Sequence, residues 1–544
     1  LVHGDSDWVA ESRWHRTPLR EIGLVAMDPE VHHHASRSRF ALTSRSSWST
    51  GEHLPTGVLV ARDESWSLAW QIEHNGAWHW EVGETRSGAY LALLGPTDAE
   101  HQWCGEVSAG NGFTTVPVSL AVAAGGVDDA MAVLTALRRV GRPGGPYPVV
   151  FNDYMNTLMG DPTTEKLLPL VDAAADVGAE YFCVDAGWYD DDSGWWDGVG
   201  EWLPSKRRFP GGFGEVADRI RAKGMVPGLW LEPEVVGIRS EVARRLPDDA
   251  FFQRHGLRVA EHGRFHLDLR HPAAVAHLDE VVDRLVADFG IGFLKLDYNI
   301  MPGAGTDVGG GAPGAGLLGH NRAHLAWLDA LLDRHPGLLV ENCASGAMRM
   351  DYALLSRVHL QSTSDQQNPL LYPPIAAAAP ASVLPEQAGV WAYAQPGMTP
   401  DEAAFTLACG VLGRLYLAGR VDLMDAGQRA LVREAVTVHK RLLPDIATAV
   451  PFWPLSLTAV PGTWVAHGLR TPADTYLTLW RLPGATAELD LPIAHLRGVE
   501  VTTEVLFPTA ATHWSPRWDR GSGVLRIASD AEAPSSVVLH LTTS

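Results

Sequence analysis

The sequence predicts an α/β protein: a (β/α)8 TIM barrel flanked by an N-terminal β-sandwich and a C-terminal antiparallel β domain. Three observations predict it. Between about residue 147 and residue 440, short apolar runs alternate with longer amphipathic segments, which is the pattern of βαβ units that close into a barrel. The segments before and after are short, β-rich and bounded by Gly, Asn, Asp or Pro. A breaker, Arg142-Pro143-Gly144-Gly145-Pro146, separates the first part from the second. A chain of 544 residues has room for two or three domains, and the expected limits are 1–140, 141–445 and 446–544.

In the first part the runs FALTSRSSW, GVLVARDE, SLAWQIEHNG, AWHWEVG and YLALLG read as strands. Asn75-Gly76 predicts a hairpin turn between two Trp-rich strands, and 127–140 reads as a helix. Seven barrel strands are expected at 147–152, 180–186, 225–232, 293–299, 338–343, 359–365 and 390–394, with an eighth near 404–410. Amphipathic segments such as TEKLLPLVDAAADVG, FGEVADRIRAKG and AAVAHLDEVVDRLVADFG supply the intervening helices. No Gly-rich phosphate loop follows the first strand, which argues against a nucleotide-binding open sheet. The run VGGGAPGAG (308–316) is expected to be a flexible active-site loop. From about 450 onward, TWVAHGLR, TYLTLWRL, TTEVLFP and SSVVLHL read as strands of a small β domain.

Composition narrows the function. The net charge is −21, from 64 acidic and 43 basic residues, and no basic run appears; such a field disfavours nucleic acid and anionic membranes as partners. The four cysteines, Cys104, Cys183, Cys343 and Cys409, are too scattered for a metal or redox pair. No run of 18 or more apolar residues predicts a membrane span. The first residues lack a basic start followed by an apolar run, so a cytoplasmic protein is expected. Twenty Trp is a surplus, and aromatic faces suit ligand grooves.

Barrel active sites lie at the C-terminal ends of the strands. Here the first strand ends in Asn152-Asp153 and the second in Asp185. The third carries Trp230, Glu232 and Glu234, and the fourth Lys295, Asp297 and Asn299. The fifth ends in Glu341-Asn342-Cys343 and the sixth in Ser364-Asp365. Chance burial does not explain a ring of polar groups over six successive strands. Carboxylates in such a ring suit either glycoside hydrolysis, which uses one as nucleophile or base and one as acid, or a divalent metal. The strand ends carry no HxH or HExxH motif, and the Trp residues nearby (Trp188, Trp195, Trp196, Trp202, Trp230) favour a sugar. Alternation puts Lys295, Asp297 and Asn299 on one side of their strand, where the Lys keeps the Asp ionised. Asp365 is the candidate acid, set against a turn or N-cap role. Glu341 and Asn342 are its rivals, with Arg349 an available partner for Glu341.

Several segments, taken in order, resemble the bacterial α-galactosidases of glycoside hydrolase family 36. They are AWQIEHNG, FND, YFCVDAGWY, GEW, RFPGGF, GLWLEPEVV, KLDYN, HNRAHL, ENCASGAMRMD and STSD. The resemblance implies a retaining, exo-acting enzyme that releases terminal α-linked galactose and needs no metal or organic cofactor. By motif match, Asp297 is the nucleophile and Asp365 the general acid/base. Asp185, Trp230, Lys295, Asn299 and Cys343 bind substrate, and Trp202 and Arg349 belong to the pocket or its support. The two carboxyls of a retaining pair stand about 5 Å apart.

One departure concerns the sugar. The family has two consecutive Asp residues, which hold O4 and O6 of galactose, where this chain has Asp185-Ala186. Ala offers no acceptor. A β-L-arabinopyranoside, which lacks the C6 arm, is therefore an alternative substrate, as are α-N-acetylgalactosaminides and α-glucosides. Ala347-Met348 stands where the family has glycines and reshapes the wall. Transglycosylation from the same intermediate is the alternative reaction. The N-terminal sheet domain is shorter than in the large tetrameric members, so a monomer or dimer is expected.

Overall fold

Eight short parallel strands close into a barrel in a computed structural model that describes residues 1–25, 27–33, 38–191, 194–458 and 462–543. The strands are β1 (Val150–Asn152), β2 (Tyr181–Val184), β3 (Val226–Leu231), β4 (Phe293–Leu296), β5 (Leu339–Asn342), β6 (Leu360–Ser362), β7 (Ala388–Ala392) and β8 (Arg414–Leu417). Each pairs with the next in sequence, and β8 pairs back to β1. Nearly every residue of these strands is buried, because barrel strands have side chains in the lumen on one face and helices on the other. That is why they read as unbroken apolar runs. The outer helices are α1 (Thr164–Asp176), α2 (Gly214–Ala222), α3 (Pro272–Phe289), α4 (Pro313–Arg334), α5 (Tyr352–Leu355), α6 (Tyr372–Ala378), α7 (Pro400–Val411) and α8 (Ala426–Ile446).

Three expectations are corrected. AFTLACG is not the eighth strand but lies within α7. Thr399 and Glu402 form a reciprocal capping box around Pro400, which starts a helix firmly, and the strand follows at Arg414–Leu417. Asn75-Gly76 is not a hairpin turn, since the strands before and after it, 67–72 and 78–85, belong to different sheets. The segment docks on α4 instead. Asn75 Nδ2 donates to the Asn321 carbonyl at 3.1 Å, and a Cβ at Gly76 would collide with the Asn321 side chain. The run 308–316 is not a loop throughout, because α4 begins at Pro313. Gly314 and Gly316 press against the backbones of residues 101–102 and 306, where a side chain would not fit.

The N-terminal part forms a five-stranded and a three-stranded antiparallel sheet, followed by the helix Val127–Gly141. The C-terminal part forms a five-stranded and a three-stranded antiparallel sheet around its own core of residues such as Leu477, Leu491, Leu525 and Leu539. Trp453 joins it to the barrel by donating to the Ala377 carbonyl at 2.7 Å. Among the described residues no helix is long and apolar enough to cross a membrane.

Candidate active site

The strand ends β1 to β6 surround a cavity of about 650 Å³. Its floor is a buried polar network. Asp185, just beyond β2, accepts on Oδ2 from Lys295 Nζ at 2.9 Å and from Asn152 Nδ2 at 2.7 Å. Its Oδ1 accepts from the Ala186 N–H at 2.8 Å. Asp153 Oδ1 accepts from the Asp185 N–H at 2.7 Å. Burial opposes a charge on Lys295, but Asp185, Cys343, Glu341 and Asp297 around it outweigh burial and hold its pKa well above the usual value. The floor therefore carries one fixed cation.

Asp297 follows β4 and is held from three directions. Its Oδ2 accepts from Trp230 Nε1 at 3.0 Å, and its Oδ1 accepts from the N–H groups of Tyr298 and Ser345 at 2.7 and 3.1 Å. Burial pushes the carboxyl up, but the Lys295 charge and these hydrogen bonds bring it below the ordinary carboxylate value. It is an oriented anion facing the cavity. Asp365, beyond β6, lies in the opposite regime. Burial and the negative charge of Asp297 push it up to about 7. Two carboxyls in one cavity, driven apart in proton affinity, supply an anion and an acid at the same pH.

Asp185, Trp230, Lys295, Asn299, Asp297 and Asp365 all line the cavity. The other three expected residues do not. Cys343 is 1% exposed, its N–H bonded to the Leu296 carbonyl at 2.8 Å, and burial keeps its thiol neutral. Trp202 stands behind Trp230, ring centres 5.9 Å apart. Arg349 bonds Glu234 at 2.6 Å and so is not the partner of Glu341. Glu341 instead accepts from the Tyr416 hydroxyl at 2.5 Å and does not line the cavity. It is therefore no rival to Asp365, although burial pushes it up to about 8. Glu232 ties Asn299 in place, accepting its N–H at 2.7 Å while bonded to Arg264 at 2.5 Å. Asn299 in turn accepts from Ser345 Oγ at 2.6 Å.

Several cavity residues were not legible as such. Trp8 and Trp48 come from the N-terminal part, Tyr154, Met155 and Met159 from the segment after β1, and His262, Ser345 and Gln367 from other loops. Trp8 donates from Nε1 to Asp365 Oδ2 at 3.1 Å. Local pattern carries no sign that residue 8 meets residue 365. Ala186, Trp195 and Trp196 also line the wall, so aromatic and other apolar side chains share the chamber with its polar floor, its two carboxyls and the polar groups of His262, Asn299, Ser345 and Gln367.

Glu234, His266 and His320 have the spacing of a metal site, but their atoms are already engaged. His266 bonds the Leu267 carbonyl and the Tyr298 hydroxyl, both at 2.7 Å. His320 accepts from the Leu269 N–H at 3.1 Å and bonds Glu234 at 2.9 Å. Arg349 neutralises Glu234, so the group is an internal polar network, and none of its members lines the cavity.

Residues 142–390 match the family model described as Melibiase. That match covers somewhat less than half of the chain. It agrees with the resemblance to family 36 carried by FND, KLDYN and ENCASG. The chain is 23% identical over 343 residues to alpha-galactosidase AgaA of Geobacillus stearothermophilus, covering 60% of this chain and 46% of that protein. It is 26% identical over 316 residues to alpha-galactosidase 1 of Pediococcus pentosaceus, covering 55% and 41%. The matched region thus spans less than half the length of these curated relatives. The crystal structure of AgaA superposes with a TM-score of 0.79 at 18% identity, covering all of this chain and 74% of that one. Variants of AgaA have been crystallised with raffinose and with stachyose.

Proposed function

We propose that this protein is a retaining, exo-acting glycoside hydrolase that releases a terminal α-linked galactose or a closely related sugar. The observation that carries the reading is the pair Asp297 and Asp365 in one cavity, one held as an anion and the other titrating near neutrality. In the first step the Asp297 carboxylate attacks the anomeric carbon while that carbon's bond to the leaving oxygen breaks, and the Asp365 carboxyl gives its proton to that oxygen. In the second step ionised Asp365 takes a proton from water. The resulting oxygen attacks the anomeric carbon and Asp297 departs, so two inversions give net retention. Lys295, Asp185 and Asn299 offer donors and acceptors to sugar hydroxyls, and Trp230, Trp195 and Trp196 offer apolar faces.

Ala186 supports a second reading of the sugar. It lines the same cavity as Met155 and Met159 and offers no acceptor. A hydroxymethyl group placed there would leave its hydroxyl unpaired, at a cost of about 1–3 kcal/mol. A β-L-arabinopyranoside keeps the galactose-like ring hydroxyls and avoids that cost.

The test is a panel of nitrophenyl α-D-galactoside, β-L-arabinopyranoside, α-N-acetylgalactosaminide and α-D-glucoside, with and without chelator. The galactoside is expected among the favoured substrates, the arabinopyranoside within roughly tenfold of it or better, and the chelator is expected to change nothing. A glucoside or N-acetylgalactosaminide turned over well ahead of both would reject the sugar assignment. Loss of activity in chelator would reject the metal-free mechanism.

A further inference from the structure

The first sixteen residues reach the acid carboxyl from outside the barrel. Strands 2–7 and 10–16 form a hairpin in which Asp7 faces Ala10, so Trp8 and Val9 make its tip. Between the pairs Asp5–Arg13 and Asp7–Ala10, Glu11 and Ser12 both face the single residue Ser6. This is a β-bulge, a device that redirects a side chain. Val9 and Ser12 both have φ of 59°. A β-branched residue is rarely found there, and such a conformation persists where surrounding contacts over-determine it.

Those contacts converge on the turn after β6. The bulge turns Glu11 inward, where it is 1% exposed. Glu11 Oε2 accepts from Ser364 Oγ at 2.6 Å, and its Oε1 accepts from the Val9 N–H at 3.3 Å. Gln366 donates from its backbone to Ser364 Oγ at 3.0 Å and from Nε2 to the Val9 carbonyl at 2.9 Å. Asp365 is therefore flanked on both sides by residues tied to the hairpin, and Trp8 bonds its own carboxyl. The ionisable groups around Glu11 are Asp365, Tyr372 and Tyr393. Among the described residues no cation pairs with it. Burial pushes its carboxyl up to about 8, and its contact with the uncharged Ser364 hydroxyl is a hydrogen bond. A buried carboxyl with no cation is an expensive way to fill space. It is a fitting way to fix a hydroxyl.

We propose that Glu11 is a positioning residue for Asp365: acting through Ser364, it holds the turn after β6 so that the Asp365 carboxyl stands at the leaving oxygen. The proposal rests on Asp365 being the general acid. Its signature is selectivity for the leaving group. Proton donation limits the first step when the departing group is a poor one, such as an alkyl alcohol, and hardly matters for a dinitrophenolate. Misplacing the acid therefore lowers kcat/KM for the first kind of substrate and spares the second.

The experiment compares Glu11→Ala, Glu11→Gln and Ser364→Ala with the wild type, using methyl and dinitrophenyl glycosides of the sugar the panel selects. Asp365→Ala serves as reference, and a melting curve is recorded for each variant. Glu11→Ala and Ser364→Ala are expected to lower kcat/KM at least about tenfold on the methyl glycoside and less than about threefold on the dinitrophenyl glycoside. Glu11→Gln, which keeps an acceptor for Ser364, is expected to restore most of the loss. Equal losses on both substrates, or no loss on either, overturn the proposal. If Asp365→Ala itself shows no leaving-group selectivity and no recovery with added azide, the acid assignment fails instead, and the two failures are told apart.

Discussion

Replacing Asp297 by Ala is expected to lower kcat/KM by at least about 10⁴-fold on every substrate of the panel, with the fold intact. Ten-thousandfold corresponds to roughly 5.5 kcal/mol of transition-state stabilisation, and removal of a nucleophile from a preorganised site reaches or exceeds it. The size of the effect follows from the environment. Trp230, Tyr298 and Ser345 donate three hydrogen bonds to this one carboxylate, and Lys295 supplies the charge that keeps it ionised. No other carboxyl lining the cavity is poised in this way. Asp185 is engaged with Lys295 and Asn152, and Asp365 titrates near 7. Steady-state kinetics checks the loss and circular dichroism checks the fold. A variant retaining more than a few per cent of activity would remove Asp297 from the mechanism.

The second large effect concerns stability. Arg349→Met is expected to lower the unfolding free energy by about 3–5 kcal/mol, measured by denaturant titration. Arg349 and Glu234 are 2% and 0% exposed and lie 2.6 Å apart. Burial alone would raise the Glu234 carboxyl, and Arg349 is the first group that holds it well below the ordinary range. Neighbouring His324 does not substitute, because burial pushes its pKa down to about 3 and leaves it neutral. Removing the guanidinium strands a buried carboxylate, whereas Glu234→Gln in the same chain is expected to recover part of the loss. A cost below about 1 kcal/mol, the range of a surface pair, would show that the network is not what holds this region.

Much of the barrel was legible in the sequence, for a physical reason. Strands covered on both faces must be apolar throughout, and their polar residues gather at the C-terminal ends, so FLKL-D announced both an element and a residue that lines the cavity, while LVEN-C announced the element alone. The eighth strand was misplaced because AFTLACG is apolar on all sides and carries no period. The discriminating signal was upstream, in Thr399 and Glu402. Asn75-Gly76 carried a genuine local turn preference that docking on α4 overrode. Side-chain pairing across the barrel was illegible in the same way. Arg349 lay eight residues from Glu341 in sequence, yet it reaches Glu234, 115 residues away. Trp8 and Glu11 were missed because a hairpin's local pattern is silent about what its tip touches. The family motifs compensated for part of this, pointing to Asp365, which does line the cavity, while the contacts that hold it belong to the N-terminal hairpin.

The proposed mechanism requires a covalent bond between Asp297 and the sugar. It is tested most directly by incubating the protein with an activated fluorinated glycosyl fluoride of the preferred sugar, in which fluorine slows turnover of the intermediate, and mapping the label by mass spectrometry. One label per chain on the peptide containing KLDYN, fragmenting at Asp297, with retained configuration in the product of ordinary turnover, is the expected result. A label on Asp365 or Glu341, or an inverted product with no label, would contradict it.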